Sequence, residues 1–399
     1  MIIITIKPFI YAKQKVKIFF TLLLSIGSIA YLPIAILIRL LGYKIISIKY
    51  TNAIGHLSLE PDLFLRENFL KKKNFKGIII SPKHKTANIE FLRYLKKYFL
   101  VISNPIICTF MSPLKEIKFL NYNIYDYQMN DQGTAKLFKT MKLTYDNINF
   151  HTISQKHLIH GLNVLDRWGL KKNDWFVGLH VREPNYRNYG KKNVRDADIN
   201  SFCKAIDFIE SLGGYIIKLG LESNNLNIQN KKFINYSNSE FRSNEMDIFL
   251  STQCKFFIGT NSGLHNLPLI FKTPILYFNM FPIEQINSQP NSISTIKLVR
   301  DNKTNKYLKF KEVLNLSIKN SFKIEDYNNL GLTVIDNDQD LILDVLKEYL
   351  LKKENKFHDT KEDIDLQKKF HSMYKFGHYC YGTAGKISTI FLRKYKYLL

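Results

Sequence analysis

The sequence predicts an α/β protein with two Rossmann-like domains that follow an apolar N-terminal segment. The chain has 399 residues, which suggests two domains at ~100–200 residues each. Runs of β-branched and aromatic residues alternate with helical apolar spacing, in two series that separate near residue 170. Such alternation indicates parallel sheets with helices on both faces. Hydrophobic residues make up 45% and charged residues 23%, which excludes wholesale disorder and collagen-like or disulfide-knot classes.

The first element is the apolar segment, for which we set the limits 1–42. Residues 18–41 contain one charge, Arg39, and are long enough to cross a bilayer. Pro33 would kink or break a helix there, which favours a monotopic anchor over a single span. A signal peptide with a weak cleavage site at residues 28–30 and a buried helical hairpin are the alternatives. We predict membrane association, with the body at the cytoplasmic face of the inner membrane.

The first domain, residues 43–170, begins with a β-branched strand at residues 44–50. A turn with Gly55 and His56 follows, and residues 57–70 show helical apolar spacing. Further strands are predicted at 77–81 and 100–103, with a helix at 87–98. Between residues 104 and 170 only 155–168 is clearly helical in pattern.

The second domain, residues 171–355, repeats the alternation. It contains five predicted strands, at residues 175–181, 215–219, 233–236, 255–259 and 274–278. Helices are predicted at 198–212, 246–252 and 263–271, with a later one at 338–353. A charged linker then leads to a basic, aromatic tail, residues 356–399, predicted to cross back to the first domain or to touch the membrane.

The net charge indicates which classes of partner the protein binds, and the cysteines indicate whether it contains disulfides or a zinc site. The 58 Lys and Arg residues exceed the 34 Asp and Glu residues, giving a net charge of +24. This excess favours anionic partners such as phosphates or acidic lipids, although a compositional bias toward Lys, Ile and Asn accounts for part of it. The four cysteines are far apart and form no CxxC pair, so we predict neither a zinc site nor disulfides.

The strongest chemical signal is an apolar strand that runs directly into His180 and Arg182. Ligands of open α/β sheets bind outside the carboxyl ends of the strands. An arginine at that position can hold a phosphate through two parallel hydrogen bonds. A salt bridge at the strand end is the alternative interpretation.

A second signal is the polar turn Thr260, Asn261, Ser262 and Gly263, between a buried strand and a predicted helix. A helix N-terminus offers unpaired N–H groups and a favourable dipole to an anion. The alternative is that Asn261 or Ser262 caps the helix. Asp247, in the preceding helix, either caps that helix or binds a ribose or a base edge.

The third signal lies in the first domain, where Gly55 and His56 are followed by Glu60. Gly55 lets the backbone approach a ligand closely, and His56 and Glu60, four residues apart, can share a helix face. Either side chain could act as a general base in a cleft. A capping and packing cluster is the alternative.

Two other patterns are rejected as sites. The DxD sequences at residues 196–198 and 336–338 each directly precede a helix, so we interpret both as helix caps. The glycines at 382–386 have the wrong spacing for a phosphate loop, and no apolar strand precedes them. We therefore predict no metal and no cofactor.

Together these motifs resemble a bacterial glycosyltransferase family of surface-polysaccharide gene clusters. The resemblance extends over nearly the whole chain and rests on ordered blocks: AIGHLSLEPDLFLRE at 53–67, WFVGLHVRE at 175–183, GGYIIKLG at 213–220, EMDIFLSTQCKFFIGTNSG at 245–263 and FLRKYKYLL at 391–399. More distantly, the second and fourth blocks are similar to the donor site of α1,6- and protein O-fucosyltransferases. Glu183 stands where several of those enzymes have a second arginine.

The resemblance implies the GT-B arrangement, in which two Rossmann-like domains face a cleft. It implies transfer from a nucleotide sugar, with a GDP-sugar favoured, to a lipid-linked or surface-polysaccharide acceptor, without metal and with inversion. His56, Glu60 and Arg182 would be catalytic. The donor would be bound by Gly55, His180, Arg182, Lys218, Asp247, Thr260, Asn261, Ser262 and Gly263. The expected partners are thus a nucleotide sugar, a glycan acceptor and an anionic membrane surface.

Two rival functions remain at the level of the sequence. One is a catalytically inactive protein that binds nucleotide or glycan as an assembly partner. The other is a nucleic-acid-binding protein, which only the net charge supports because no RNA- or DNA-binding motif is present. We therefore predict no nucleic-acid partner.

Overall fold

In a computed structural model of the chain, the residues described are 29–122, 140–184, 192–221, 226, 228–283, 289–290, 292–376, 378, 380–383 and 385–399. The chain divides into two compact units, Met1–Ile124 and Tyr125–Leu399. The sequence pattern set the division near residue 170 instead. The difference arises because helix α5, Gln155–Arg167, belongs to the second unit. A Cβ on its Gly161 would lie 2.2 Å from the ring of Phe249, so the helix backbone lies directly against that aromatic side chain.

The first unit is built on a four-stranded parallel sheet with the order β3-β2-β1-β4. Its strands are β1 Tyr43–Ile46, β2 Lys76–Ile80, β3 Phe99–Ile102 and β4 Asn121–Tyr122. Its helices are α1 Leu32–Leu40, α2 Ile54–Leu70, α3 Ile89–Leu95 and α4 Pro105–Phe110. The sheet is the expected product of the alternating pattern, since the isoleucines of β1 and β2 are buried in its core.

Helix α2 begins earlier than the sequence pattern indicates. It spans Ile54–Leu70, so Gly55 and His56 lie in its first turn instead of in a preceding loop. Inside this helix Arg66 and Asp62 form an ion pair with 2.6 Å between Nε and Oδ2, and both side chains are fully buried. A charge pair four residues apart is a good helical spacing, and each charge removes much of the cost of burying the other.

The second unit contains a seven-stranded sheet with the order β13-β10-β9-β8-β5-β6-β7, in which every pair is parallel. The strands are β5 Phe176–His180, β6 Tyr215–Lys218, β7 Phe233–Asn235, β8 Phe257–Gly259, β9 Ile275–Met280, β10 Ile293–Ile296 and β13 Lys386–Ile387. A separate antiparallel pair is formed by β11 Leu298–Asp301 and β12 Leu332–Ile335. The predicted α/β class with parallel sheets is confirmed.

The helices of the second unit include those that the sequence pattern indicated and several shorter ones. After α5 they are α6 Cys203–Ser211, α7 Asn244–Gln253, α8 Asn266–Ile270, α9 Phe310–Asn315, α10 Ile324–Asn328, α11 Gln339–Lys353, α12 Lys361–His371 and α13 Thr389–Lys394. The C-terminal tail, which we expected to cross back to the first domain or to touch the membrane, contributes β13 to the sheet of its own unit. Its α13 is held by the buried Glu348, which accepts hydrogen bonds from the backbone N–H groups of Thr389 and Ile390.

Strand order locates one special point in each sheet. In the first unit the chain moves outward from β1 through β2 to β3 and then returns to add β4 on the other side of β1. In the second unit it moves from β5 to β7 and returns to add β8 on the other side of β5. The crevice at such a reversal, outside the carboxyl ends of the strands, is where doubly wound folds bind ligands.

The described part of the N-terminal apolar segment is residues 29–41, and residues 18–28 lie outside the described ranges. Residues 29–30 are helical, Tyr31 is a turn, and α1 begins at Leu32 with Pro33 in its first turn, where proline is tolerated. The helical path is therefore interrupted next to Pro33, as predicted. Within the described ranges, no helix combines the length and the apolar character needed to cross a bilayer.

Candidate functional site

The centre of the candidate site is His180, the last residue of β5. Its Nδ1 lies 3.2 Å from the carbonyl oxygen of Leu219, and its Nε2 lies 2.9 Å from Ser262 Oγ. Since a carbonyl oxygen can only accept, Nδ1 carries the ring proton and the Ser262 hydroxyl donates to Nε2. Burial lowers the pKa of His180 to about 4, so the imidazole is neutral at pH 7.

The His180 ring is accommodated by Gly220, at the end of the 213–220 block. Gly220 has a φ of +102°, and a Cβ there would lie 2.6 Å from His180 Nδ1. Both the backbone conformation and the close approach therefore require glycine. This contact explains why a glycine follows β6 at position 220. The sequence alone could not show that His180 packs against it.

Ser262 and His180 resemble part of a nucleophilic triad, but the chemistry differs. A base with a pKa of about 4 removes a serine proton poorly at neutral pH, and the Nδ1 partner is a carbonyl oxygen instead of a carboxylate. The arrangement instead fixes the Ser262 hydroxyl in one direction. With its proton directed to His180, Ser262 Oγ presents lone pairs, which suit a ligand hydroxyl better than a phosphate oxygen.

The other residues of the polar turn after β8 form hydrogen bonds to the segments that follow β5 and β9. Thr260 Oγ1 accepts a hydrogen bond from the Arg182 backbone N–H at 2.8 Å, and Asn261 Nδ2 donates to the Phe281 carbonyl at 2.7 Å. Gly263 begins a three-residue 3₁₀ turn that leads into α8, which is only five residues long. The predicted helix over residues 263–271 is present to within one residue, but its first turn is 3₁₀ and only five residues are α-helical, which weakens the helix dipole at this turn.

The capping alternative for this turn is also wrong. Ser262 precedes the 3₁₀ turn but makes no side-chain cap, because its hydroxyl is directed to His180. Asn261 uses its amide on Phe281. These side chains hold the carboxyl ends of β5, β8 and β9 in register at the point where the strand order reverses.

Arg182, two residues beyond β5, is only 5% exposed and pairs with Asp196, with 3.0 Å between Nε and Oδ1. The salt bridge that we gave as the alternative interpretation is therefore present. Nε–H is one of five guanidinium donors, and its ion pair with Asp196 fixes the orientation of the group. Asp196 is itself held by the Asn193 backbone N–H at 2.7 Å, and burial raises the pKa of this carboxyl group.

A pocket of about 510 Å³ opens beside this ion pair. Its charged lining comprises Glu183, Lys192, Asp196, Asp198, Lys297 and Asp336. Lys297, just beyond β10, lies 2.7 Å from Asp336 Oδ1 and also donates to the Asp196 carbonyl oxygen. Positive and negative groups thus alternate from Arg182 through Asp196 and Lys297 to Asp336, and the pocket combines hydrogen-bond donors with carboxylate acceptors.

The two DxD sequences are helix caps only in part. Asp198 Oδ1 accepts from the Asn200 backbone N–H at 2.9 Å, and Asp338 Oδ1 from the Leu341 backbone N–H at 2.7 Å, as predicted. The first aspartate of each pair has a different role, because Asp196 pairs with Arg182 and Asp336 pairs with Lys297. Because Asp196 and Asp336 each stand shortly before a helix, the sequence suggested capping for both. Only the tertiary fold brings the two residues to one pocket.

Two further predicted donor-binding residues are engaged within the protein. Lys218, at the end of β6, is fully buried, and its Nζ lies 3.5 Å from Glu183 Oε2 and 3.3 Å from Ser237 Oγ. Asp247 accepts a hydrogen bond of 2.9 Å from the Tyr236 hydroxyl. Burial raises the pKa of Asp247.

The cap of the helix that contains Asp247 is Ser243. The capping alternative for Asp247 is therefore wrong. Its role in binding a ribose or a base edge stays a prediction, as does a contact of Lys218 with the donor.

The candidate residues of the first unit lie at the N-terminal end of α2, the helix that follows β1. His56 Nδ1 is 2.7 Å from Glu60 Oε1, and the Glu60 side chain is 4% exposed against 32% for His56. Glu60 Oε2 also accepts from the Lys49 backbone N–H at 3.3 Å, and the Tyr50 ring meets His56 edge-on. When Nδ1–H donates to the carboxylate, the lone pair resides on Nε2, as a general base requires.

Comparison with known proteins yields remote structural similarity only. No protein-family model matches the sequence, and no curated protein matches it at a significant level. The glycosyl transferase family 9 structure from Veillonella parvula DSM 2008 is 12% identical, with a TM-score of 0.38 over 76% of this chain and 80% of that one.

Two heptosyltransferases of E. coli are similar at the same level. The structure of the ADP-heptose LPS heptosyltransferase II is 11% identical, with a TM-score of 0.35 over 59% of this chain and 83% of that one. Heptosyltransferase WaaC with ADP-2-deoxy-2-fluoro heptose is 10% identical, with a TM-score of 0.32 over 63% and 92%. Likeness at these values does not assign the chain to a family.

Proposed function

We propose that this chain is a glycosyltransferase that moves a sugar from a nucleotide-sugar donor to a hydroxyl acceptor. The observation that carries the proposal is the strand-order reversal between β5 and β8. There the buried Arg182 and the Ser262 hydroxyl oriented by neutral His180 lie at the carboxyl edge of a parallel sheet. This combination offers a cation for a diphosphate and acceptors for sugar hydroxyls.

In the proposed reaction the acceptor oxygen attacks the anomeric carbon of the donor sugar. The bond from that carbon to the phosphate oxygen breaks, and the nucleoside diphosphate leaves with the electron pair. Arg182 stabilises the negative charge that develops on the leaving phosphate. His56 receives the acceptor proton on Nε2, and Glu60 holds its ring and stabilises the imidazolium. A single displacement of this kind inverts the anomeric centre.

We propose that no metal is needed, because the aspartates of both DxD sequences have other functions. Asp198 and Asp338 cap helices, and Asp196 and Asp336 face cationic side chains. A GDP-sugar is the donor we favour, from the resemblance to fucosyltransferase donor sites. The acceptor class we propose is a lipid-linked or surface-polysaccharide glycan at the cytoplasmic face of the inner membrane.

A thermal-shift panel of GDP, UDP, dTDP, CDP and CMP tests the donor site. A ligand that binds the native state stabilises it by RT ln(1 + [L]/Kd), about 2.7 kcal/mol at a hundredfold excess over Kd. We expect one nucleoside diphosphate to raise the melting temperature and the Arg182→Ala variant to lose that response. A protein that responds to none of the five is not a nucleotide-sugar enzyme of this kind.

Turnover separates the enzyme from the rival assembly protein. With the nucleotide that stabilises the chain, the matching nucleotide sugars are incubated with a lipid-linked acceptor, and release of the nucleoside diphosphate is followed. Tight nucleotide binding without release above the rate of the Arg182→Ala variant would favour a catalytically inactive binding protein.

A further inference from the structure

The first unit carries an apolar surface that its own core does not use. Helix α1 buries Ala35, which belongs to a cluster with Cys108 of α4. The two helices therefore contribute to one cluster of the first unit's core. On their outward faces the exposed fractions are 57% for Leu37 and 79% for Leu40, against 68% for Ile106 and 67% for Phe110. We call these four exposed side chains the apolar face.

Scattered single apolar residues are ordinary on protein surfaces, but this face is not of that kind. Helix α1 is apolar almost all round, with the sequence LPIAILIRL, a composition normal for a buried or membrane-bound helix. Ile34, Ile36 and Leu41 are also about half exposed or more. Several exposed apolar side chains on successive turns of one helix are typical of an interaction site.

A basic cluster lies at the C-terminal end of α1 and at the start of β2. The Arg39 guanidinium is 4.3 Å and Lys44 Nζ 5.0 Å from the centre of the Phe75 ring, and Lys73 Nζ is 5.7 Å from it. Lys76 lies over the Tyr43 ring at 5.5 Å. Within the described ranges none of the four cations pairs with a carboxylate.

The pKa of Lys44, a member of this basic cluster, is lowered, which is consistent with the excess of positive charge around it. Burial lowers the pKa of Lys44 first, and the nearby charges of Arg39 and Lys73 lower it further. No carboxylate raises it among those causes. An anionic group brought to the cluster would relieve this repulsion.

We propose that the apolar face and the basic cluster together dock the first unit on an anionic lipid bilayer. The outward residues of α1 and α4 would enter the boundary between headgroups and acyl chains. The four cations would meet acidic headgroups, and Phe75 and Tyr43 are aromatic residues of the kind found at that depth. The chain before α1 adds support, since residues 18–28 are apolar and three lysines precede them. This docking holds whatever reaction the second unit performs.

Cosedimentation with vesicles tests the proposal on the full chain. Phosphatidylcholine vesicles are compared with vesicles containing about 30% phosphatidylglycerol. Lys73→Gln with Lys76→Gln should weaken partition into the anionic vesicles about 25-fold, from about 1 kcal/mol per lysine. Leu37→Gln with Leu40→Gln, and separately Ile106→Gln with Phe110→Gln, should each weaken it at least about tenfold.

Matched variants in the second unit serve as controls. Ile159 and Leu162 are exposed apolar residues on α5, at 51% and 52%, and their change to Gln should leave partition unchanged. Lys171→Gln with Lys172→Gln controls for loss of two exposed charges. An equal loss of partition in these controls would mean that net charge or nonspecific hydrophobic adsorption drives binding. The apolar face and the basic cluster would then have no special role.

If the segment before α1 alone held the protein on vesicles, the sedimentation of these variants would not change. A tryptophan on the apolar face then reports directly whether that face enters the bilayer. Phe110→Trp should show a blue-shifted, quench-protected emission when anionic vesicles are added, and Leu162→Trp should not. The proposal is overturned if the Phe110→Trp protein sediments with vesicles without that shift. It is also overturned if the apolar variants convert a dimer to a monomer in sedimentation velocity while vesicle binding persists, because the face would then join two copies. Nucleotide-induced thermal shifts should be the same in all these variants, so failure here leaves the donor site untouched.

Discussion

The two sheets carry their candidate residues at equivalent points but in opposite environments. In the first unit, the His56 side chain is 32% exposed and is held by a buried Glu60. In the second unit, His180 and Arg182 are 8% and 5% exposed, and both are bonded to neighbouring loops. Both groups lie at or beyond the carboxyl end of the strand at which the strand order reverses, β1 in one unit and β5 in the other.

Under the proposed function, this difference in burial separates a residue that transfers a proton from one that supplies a fixed charge. A proton acceptor must exchange with a substrate hydroxyl and with water, which a partly exposed imidazole with a carboxylate behind it can do. A group that stabilises developing charge gains from being buried and already oriented, because no reorganisation is needed during the reaction. The same topological position therefore suits either task, and the depth of burial distinguishes them.

The largest effect should come from Arg182→Ala, which removes a buried cation at the candidate site of the second unit. We expect transfer to fall at least about 10³-fold, by analogy with the loss of a preorganised charge-stabilising donor. Lysine should restore only part of it, because it cannot make two parallel hydrogen bonds. Steady-state release of nucleoside diphosphate measures this, with Arg93→Ala, an exposed arginine paired with Glu90, as the control.

Loss of Arg182 also leaves the buried Asp196 carboxylate without its cation, which costs about 3–5 kcal/mol of stability. The double variant Arg182→Ala with Asp196→Asn should recover most of this stability but not the activity. Near-normal nucleotide affinity in either variant would contradict the phosphate role of Arg182.

His56→Ala should lower turnover about 10²–10⁴-fold, the usual contribution of a general base, while nucleotide binding stays unchanged. Glu60→Gln should lower it by a smaller factor, because the imidazolium loses a negative partner. The exposed His160 of α5 provides the control in His160→Ala. If His56→Ala weakened nucleotide binding as strongly as turnover, the contrast between a proton-transferring unit and a charge-stabilising unit would fail.

The buried histidine should also make stability depend on pH. The pKa of His180 is lowered from 6.5 to about 4 by burial, so the unfolded chain binds a proton at a higher pH than the folded one. Stability is therefore lost as pH falls below about 6.5 and stops changing below about 4. Between pH 7 and pH 5 this single group should cost about 2 kcal/mol.

Urea unfolding at the two pH values measures that cost. His180→Asn should lose about 2 kcal/mol less than the natural chain over this interval, whereas His84→Asn, at an exposed histidine, should not alter the difference. An identical pH dependence for His180→Asn would mean that the imidazole is not held neutral in the folded protein.

The smallest expected effect is that of a chelator. EDTA should leave the transfer rate unchanged, because Arg182 and not a metal ion would carry the phosphate charge. The control is the same assay after re-addition of Mg²⁺ or Mn²⁺. Loss of activity with EDTA and recovery with metal would give Asp196 and Asp336 a metal-binding role in place of the ion pairs seen here.

The sequence predicted the central strands well because their pattern is local. Strands β5, β6, β8 and β9 are short apolar runs between turn residues, and each lies within two residues of its predicted position. Strands β10 and β13 were missed, because the ISTI of β10 mixes polar and apolar residues and β13 has only two residues. The formation of such strands depends on their neighbours in the sheet more than on their own residues.

The sequence identified candidate residues but not the contacts between them, and the functional roles of these residues stay predictions. His180, Arg182 and Ser262 were chosen because they follow apolar strands, and the structure brings them to one edge of the sheet. The partners Asp196 and Lys297 were not identified, since no local pattern reveals that residues about 100 positions apart share a pocket. The interpretation of Asp196 as a helix cap was wrong for the same reason. It considered the helix that is adjacent in sequence, whereas the cation that is adjacent in space is Arg182.

Strand β13 has a consequence for the behaviour of a shortened chain. It covers the edge of β10, whose four residues are all buried and carry no charge. Without residues 386–399 that edge would present unpaired N–H and C=O groups beside apolar side chains, a ready template for another chain. Glu348, normally satisfied by the start of α13, would be left as a buried carboxylate. Truncation before residue 386 should therefore produce aggregates, whereas a tag placed after Leu399 should not.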